Sequence, residues 1–228
     1  MTPKIELPSS LASAVGDAAT AWERVYRLVN LKQAVNAKLD KKNYTPIREI
    51  PLQLQQAIIA VEDSRFYTHN GFDVEGILRA MLVNMQSGSV VEGASTISQQ
   101  LIKNLFLSQD RTYLRKAEEL ALSVVLETNY SKEEILEMYL NTIYFGSGAY
   151  GISNAASIYF DRAPANLNVA ESSLLAGLPN APSLYSPYVN LTAAKQRQAV
   201  VLAAMVRQGY IGPALAEEIR NTPLKFAK

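Results

Sequence analysis

Apolar residues recur every three or four positions along most of this chain, which is the spacing of amphipathic α-helices. The first stripe begins at Leu11, passes through Trp22 and Val29, and continues less regularly to Leu39. Further stripes lie in the segments 54–61, 74–85, 97–105, 112–130, 131–139, 168–178 and 192–208. Alternating strand-like patterns are almost absent, so the sequence predicts a mostly α fold.

Polar residues at the starts of two stripes predict helix N-termini. Thr96 with Gln99, and Ser131 with Glu134, have the spacing of a capping box, in which each side chain bonds to the backbone amide of the other residue.

The stripe over 74–85 has two interpretations. Its apolar positions are Val74, Ile77, Leu78, Met81, Leu82 and Met85, and Val90 and Val91 follow in a glycine-bounded loop. These side chains can form an apolar surface that dips into a membrane. Ordinary core packing explains most of them as well, and core packing is the expectation that we adopt.

Composition narrows the class of protein. The chain has 228 residues, 48% hydrophobic and 19% charged, so it can bury a substantial core in one compact or two-lobed unit. The net charge of +1 favours no nucleic-acid partner, and the absence of cysteine excludes disulfides. Neither a transmembrane run of about 18 apolar residues nor a signal peptide is found. If the natural protein is anchored, we expect the anchor outside this sequence.

A basic stretch lies near the N-terminus. Seven Lys or Arg and two acidic residues occur between Trp22 and Arg48. A solvated helix face explains this excess, and a membrane-proximal surface that meets anionic lipid is the alternative.

The segment 60–71 contains the first candidate catalytic residues. Glu62 and Asp63 emerge from an apolar helix, followed by two aromatic residues and His69, the one histidine of the chain. Partial burial raises the pKa of such a carboxyl and makes it a candidate general acid or base. From these residues alone, Glu62, Asp63 and His69 are equal candidates.

Five blocks in order resemble a known family. The first three read EDSRFYTHNG, GASTISQQLIKN and RKAEE, over 62–71, 93–104 and 115–119, and two more lie at 132–146 and 171–187. Together, over roughly 44–208, they resemble the peptidoglycan glycosyltransferase domain (glycosyltransferase family 51) of class A penicillin-binding proteins and monofunctional cell-wall transglycosylases. Ala94 and Ser98 depart from a glycine and a threonine that are usual in this family.

The resemblance implies a fold and an activity. The fold is a mostly α, lysozyme-like two-lobed helical domain with a cleft between the lobes, over 44–228, preceded by an N-terminal helical or membrane-proximal segment, 1–43. The activity is polymerisation of lipid II into β-1,4-linked glycan strands, with inversion and release of polyprenyl pyrophosphate, in bacterial cell wall biosynthesis and cell shape. The implied location is the outer face of the cytoplasmic membrane.

The resemblance also implies partners. They are lipid II, the growing glycan strand, the membrane surface, other cell-wall synthesis proteins and phosphoglycolipid inhibitors of the moenomycin type. No cofactor is required and no metal site is evident, although a divalent cation such as Mg²⁺ or Mn²⁺ can bridge pyrophosphate oxygens.

By resemblance, Glu62 is the catalytic base and Glu119 the second carboxylate of the site. Substrate-binding residues implied in the same way are Lys103, Arg111, Ser95, Thr96, Gln99, Gln100, Arg115, Lys116 and Arg79. Structural alternatives stay open for several of them. Glu119 can pair with Arg115, Arg79 with Glu75, and Ser95 or Thr96 can be used by a helix cap.

Neighbouring residues are expected to be structural. Asp63 would orient Arg65 or a nearby amide, His69 would be hydrogen-bonded, and Tyr139 and Asn141 would brace the cleft. Two rival functions are a lytic transglycosylase or muramidase, which also uses a glutamate, and a binding module without turnover. A hydrolase of neutral sugar chains does not need the cationic set around Lys103, and both glutamates argue against loss of catalysis.

Overall fold

The computed structural model describes residues 22, 24, 26–88, 93–107 and 112–227. The α-helices bounded within them are α1 (Leu31–Lys38), α2 (Leu52–Glu62), α3 (Val74–Ser87), α4 (Ile97–Phe106), α5 (Tyr113–Asn129), α6 (Lys132–Thr142), α7 (Gly151–Phe160), α8 (Val169–Gly177), α9 (Pro182–Tyr185), α10 (Pro187–Arg207) and α11 (Pro213–Asn221). Short 3-10 turns occupy Ile47–Glu49, Pro164–Asn166 and Leu178–Asn180. Over these described ranges there is no β-strand, only an isolated bridge between Tyr144 and Tyr150.

Two groups of helices form the domain. In one group α2, α8 and α10 pack against one another, and in the other α4 packs against both α5 and α6. One hydrophobic core, which includes Leu54, Leu101 and Leu174, runs through both groups. The mostly α, two-lobed class predicted from the sequence is therefore confirmed.

The predicted capping boxes are present. Thr96 and Gln99 cap α4 reciprocally, and Ser131 and Glu134 do the same for α6. Each box satisfies amides that have no acceptor inside the helix, so these helices begin where the sequence predicts.

Helix α1 belongs to the packed domain. Its residues Leu31 and Val35 are buried in the core, and the helix contacts α5. Residues that precede the predicted boundary at position 44 therefore share this core.

The expectation that the apolar stripe of α3 packs in the core is wrong. Its large side chains are 37% to 76% exposed, namely Val74, Ile77, Leu78, Met81, Leu82 and Met85. The buried residues of α3 are Gly76 and Ala80, which lie four positions apart on one side of the helix. The large apolar side chains lie on its exposed side. Val90 and Val91 lie outside the described residues.

Candidate active site

Glu62 is the last residue of α2, and it is held in a largely buried place. The helix packs through Leu54, Ala57 and Ile58, which are fully buried, so its C-terminal end cannot swing into solvent. The Glu62 side chain is 8% exposed. Burial raises the pKa of its carboxyl above the ordinary glutamate value, and the neighbouring charge of Asp63 raises it further.

A hydrogen-bonded pair orients one side of this carboxylate. Gln100 on α4 donates from Nε2 to Glu62 Oε2 at 3.0 Å. The hydroxyl of Tyr139 on α6 donates to Gln100 Oε1 at 3.0 Å, which fixes the amide with its donor toward Glu62. Burial raises the pKa of Tyr139 well above 10.0, so this hydroxyl stays protonated and remains a donor. The bond from Gln100 opposes the effect of burial and lowers the pKa of Glu62.

Arg197 faces the other side of the carboxylate. Its Nη2 lies 3.6 Å from Glu62 Oε1, and the Arg197 side chain is 15% exposed. It lies over the ring of Tyr185, 5.9 Å from the centroid, and its Nε donates to the carbonyl of Gly177 at 3.4 Å. The positive charge lowers the pKa of Glu62 against the effect of burial. Glu62 Oε1 is buried, faces Arg197 and has no hydrogen-bond partner among the described residues.

Sequence reasoning did not identify Arg197. It lies on α10, outside the five blocks, and a single arginine on an amphipathic helix is usually a solvated surface charge. Only the packing of α10 against α2 brings it to Glu62. In the structure a glycine in α8 makes room for this side chain, because a Cβ at Gly177 would lie 2.9 Å from Arg197 Cγ.

A network of polar contacts next to Glu62, here called the frame, consists of Asp63, His69, Ser98, Glu127 and Lys132. Asp63 accepts a hydrogen bond from the backbone amide of Ile97 at 2.9 Å, and His69 Nε2 lies 3.0 Å from both of its oxygens. Asp63 thus orients a nearby amide, the one at the start of α4. This is one of the two roles predicted for Asp63. The other role was wrong, because Arg65 pairs instead with Asp73 and Glu75. His69 is buried and hydrogen-bonded, as expected.

The frame extends into α5 and α6. Glu127 accepts a bond from Ser98 Oγ at 2.6 Å, pairs with Lys132 at 2.6 Å and lies 3.7 Å from His69 Nδ1. Gly71, with φ of +93°, passes so close to α5 that a Cβ would lie 2.8 Å from the backbone of Ser123. Block one is therefore fixed to the second group of helices by polar contacts and by close approach.

The predicted second carboxylate, Glu119, lies buried on α5 and is paired within its own helix. Arg115 Nη1 lies 2.8 Å from Glu119 Oε2, and Lys116 Nζ contacts Oε1. The internal ion pair that the sequence allowed is therefore present. Lys116 Nζ also lies 3.4 Å from Ser95 Oγ, so this cation reaches the exposed start of the second block. The role of Glu119 toward substrate stays a prediction.

The remaining predicted site residues divide into two kinds. Lys103 lies on α4 one turn beyond Gln100, and its charge lowers the pKa of Glu62, so it belongs to the field of the site. Thr96 and Gln99 are buried and bonded to each other in the α4 cap, and the Thr96 hydroxyl also donates to the carbonyl of Gly71 at 2.7 Å. Their contacts with substrate stay predictions.

Two further cations were predicted to bind substrate. Arg79 is exposed on α3, and Glu75, its predicted alternative partner, pairs with Arg65. Arg111 lies outside the described residues.

The expected braces are in place. Asn141 on α6 accepts from the amide of Thr45 at 2.7 Å and donates to its carbonyl at 2.8 Å, which ties the segment before α2 to α6. Within the described ranges no group of three or more histidine, aspartate or glutamate residues is arranged to hold a metal ion. The dependence on a divalent cation stays untested.

The geometry limits the chemistry that this site can perform. A buried carboxylate lies between a fixed amide donor and a guanidinium, and the charge of Lys103 acts on it as well. Such a carboxylate can take a proton from a hydroxyl, and the adjacent cations can stabilise negative charge that develops beside it.

Comparisons with known proteins show the family to which the chain belongs. A family model described as Transglycosylase matches residues 30–206. Penicillin-binding protein 2D of Bacillus subtilis is 40% identical over 98% of this chain and 31% of its own length. Penicillin-binding protein 1F of the same organism is 48% identical over 77% of this chain and 25% of its own length. Penicillin-binding protein 1A of Aquifex aeolicus is 44% identical over 83% of this chain and 26% of its own length.

The chain spans between a quarter and a third of the length of these curated relatives. The crystal structure of penicillin-binding protein 1A from Haemophilus influenzae superposes with a TM-score of 0.49 and 23% identity, covering 81% of this chain and 18% of that one. Since the family model spans more than half of the sequence and includes Glu62, Lys103 and Glu119, this chain belongs to the transglycosylase family.

Proposed function

We propose that this chain is a peptidoglycan glycosyltransferase that polymerises lipid II into β-1,4-linked glycan strands with inversion. The observation that carries the proposal is Glu62, a buried carboxylate held between the amide of Gln100 and the guanidinium of Arg197. Membership of the transglycosylase family supports the class of reaction.

In this reaction Glu62 acts as the general base. It accepts the proton of the acceptor sugar's 4-hydroxyl while that oxygen attacks the anomeric carbon of the donor sugar. The bond from the anomeric carbon to the pyrophosphate oxygen breaks, and its electron pair leaves with polyprenyl pyrophosphate. Burial raises the pKa of Glu62 and makes it a stronger base, whereas Gln100 and Arg197 oppose that rise by favouring the ionised form.

Cations supply the second requirement. Pyrophosphate gains negative charge as it leaves, and Lys103 with Arg115 and Lys116 provides positive charge on two adjoining helices. Arg111 has the same proposed role by resemblance. Since pyrophosphate leaves without a proton, the reaction needs no general acid, and Glu119 would hold Arg115 and Lys116 in position. Phosphoglycolipids of the moenomycin type would compete for these cations.

The outward stripe of α3 suits a lipid-linked substrate. Its exposed Met81, Leu82 and Met85 form an apolar surface next to a domain that must receive a polyprenyl chain. Within the described ranges, no helix has the length and hydropathy needed to cross a bilayer. On the basis of the exposed stripe, we propose contact with the outer face of the cytoplasmic membrane.

The decisive experiment is polymerisation of lipid II in detergent by the wild type and Glu62→Gln. We expect glycan strands from the wild type and a loss of about a thousandfold or more in the variant, because the base is absent. Glu49→Gln, at an exposed carboxylate, is the matched control and should retain activity.

Two results would refute parts of the proposal. Wild-type turnover by folded Glu62→Gln would remove Glu62 from the base role. Soluble sugar fragments from preformed cell wall, with no polymer from lipid II, would favour the lytic rival, in which a protonated Glu62 serves as general acid.

A further inference from the structure

Two arginines that precede α1 fasten the N-terminal segment to the domain. Arg27 Nη2 lies 2.9 Å from Glu118 Oε1, and Arg24 Nε lies 3.3 Å from Glu118 Oε2. The other terminal nitrogen of Arg27, Nη1, donates to the backbone carbonyl of Phe106 at 3.2 Å. The side chains of Arg27 and Glu118 are 21% and 12% exposed, so this contact is stronger than an ordinary surface ion pair.

The two groups that Arg27 joins lie on different helices. Phe106 is the last residue of α4, and Glu118 lies in the second turn of α5. The last carbonyls of a helix have no partner inside it, and a cation there is favoured by the helix dipole. One planar guanidinium therefore holds the end of α4 at a fixed distance from the start of α5.

The same two helices carry the cations proposed to bind pyrophosphate. Lys103 lies one turn before Phe106, and Lys116 lies in the turn that also holds Glu118. Glu119, the next residue, pairs with Arg115 and Lys116 on the buried side of α5. A change in the distance between α4 and α5 would separate Lys103 from Lys116, and both must reach one substrate.

We infer that Arg27 is a positioning residue for pyrophosphate binding and that Glu118 is its partner. The inference rests on the proposed function. Arg27 acts through α4 and α5 without touching the substrate, so a residue that precedes α1 contributes to substrate binding. Loss of this contact should weaken binding of the lipid substrate more than it slows the chemical step.

Three variants test this inference: Arg27→Gln, Glu118→Gln and the double variant, each assayed for kcat and KM with lipid II. We expect each single variant to raise KM about tenfold with a smaller change in kcat, because misplaced binding groups lose affinity first. The double variant should raise KM by much less than the product of the two single effects, because the Arg27–Glu118 contact is lost in all three.

The comparison between the two single variants separates positioning from direct attraction. If Arg27 attracted the anionic substrate itself, Arg27→Gln would raise KM and Glu118→Gln would not, and the inference would be overturned. Arg48→Gln removes an exposed cation from the same basic stretch, with a side chain 82% exposed. An equal rise in KM in that control would point to general charge loss and would also overturn the inference.

Binding of lipid II to the same variants in the Glu62→Gln background gives a readout that does not depend on turnover. Weaker binding there supports the positioning role even if no polymer forms, and unchanged binding together with unchanged KM excludes it. Circular dichroism checks folding. If Arg27→Gln does not fold, Glu118→Gln carries the test, because it retains the bond from Arg27 to Phe106.

Discussion

Arg197→Gln tests how the protein adjusts the basicity of Glu62. The substitution removes the positive charge 3.6 Å from Glu62 Oε1 and leaves a polar side chain of similar length. Burial then raises the pKa of Glu62 with less opposition, so the carboxylate keeps its proton to higher pH. Since only the ionised form can act as a base, the acid limb of the pH–rate profile should move to higher pH.

The size of the effect follows from the distance. At 3.6 Å, two unit charges attract by about 1 kcal/mol in a water-like medium and by about 4–5 kcal/mol at an effective dielectric constant of about 20. The site lies between these limits, because the two side chains are 15% and 8% exposed. Since about 1.4 kcal/mol corresponds to a factor of ten, we expect at least about a tenfold loss of activity on the acid limb. The loss should shrink at pH values where Glu62 is ionised in both proteins.

The assay is initial polymerisation rate against pH for the wild type, Arg197→Gln and Arg197→Lys. Arg197→Lys keeps the charge and should retain most of the wild-type profile, although a lysine cannot also hold the carbonyl of Gly177 in the same geometry. Arg207→Gln, at an exposed position at the end of the same helix, is the matched control. A rate ratio between Arg197→Gln and the wild type that is the same at every pH would refute the electrostatic role and leave only a packing role.

Three further predictions concern the surroundings of Glu62. Burial raises the pKa of Glu62 above 4.5, so the folded state loses stability as pH rises from the unfolded pKa through the folded pKa. Glu62→Gln should remove this loss and raise the melting temperature by about 2–4 °C for each kcal/mol recovered. The increase should be larger at about pH 8 than at about pH 4. A melting difference that does not vary with pH would contradict this sign. Asp63→Asn should instead destabilise the fold by about 1–3 kcal/mol in urea unfolding, since it weakens the bonds to His69 and the start of α4; equal stability would remove Asp63 from the frame. The double substitution Met81→Ser and Met85→Ser should weaken binding to anionic lipid vesicles. It should change the free energy of unfolding by less than about 0.5 kcal/mol, because both side chains are exposed. A large loss of stability would show that these side chains pack in the core.

Sequence signals were reliable where the physical cause is local. A capping box depends on residues three positions apart, so Thr96 with Gln99 and Ser131 with Glu134 predicted the starts of α4 and α6. The end of an apolar helix is also a local feature, and it made Glu62 a candidate together with Asp63 and His69, from which the family resemblance selected Glu62. The Glu119 ion pair with Arg115 follows from helical spacing in the same way.

The errors came from features that depend on how helices meet. The stripe of α3 has the periodicity of a core-facing helix, but the buried residues of α3 are Gly76 and Ala80. The sequence alone does not show which side of a helix packs against other helices. Arg197 gives the same lesson, since α10 has an ordinary amphipathic pattern. Its position opposite Glu62 depends on the packing of α2 against α10 and on a glycine in α8.

The raised pKa of Glu62 does not by itself distinguish a base from an acid. A lytic enzyme needs a protonated glutamate, and burial alone would supply one. Here Arg197 and Gln100 both lower the pKa of Glu62 again, and Lys103 acts in the same direction. A site that evolved to keep Glu62 protonated would gain nothing from three groups that favour its ionised form. Their presence on α10 and α4, two helices from different groups, favours the proposed role of general base over that of general acid.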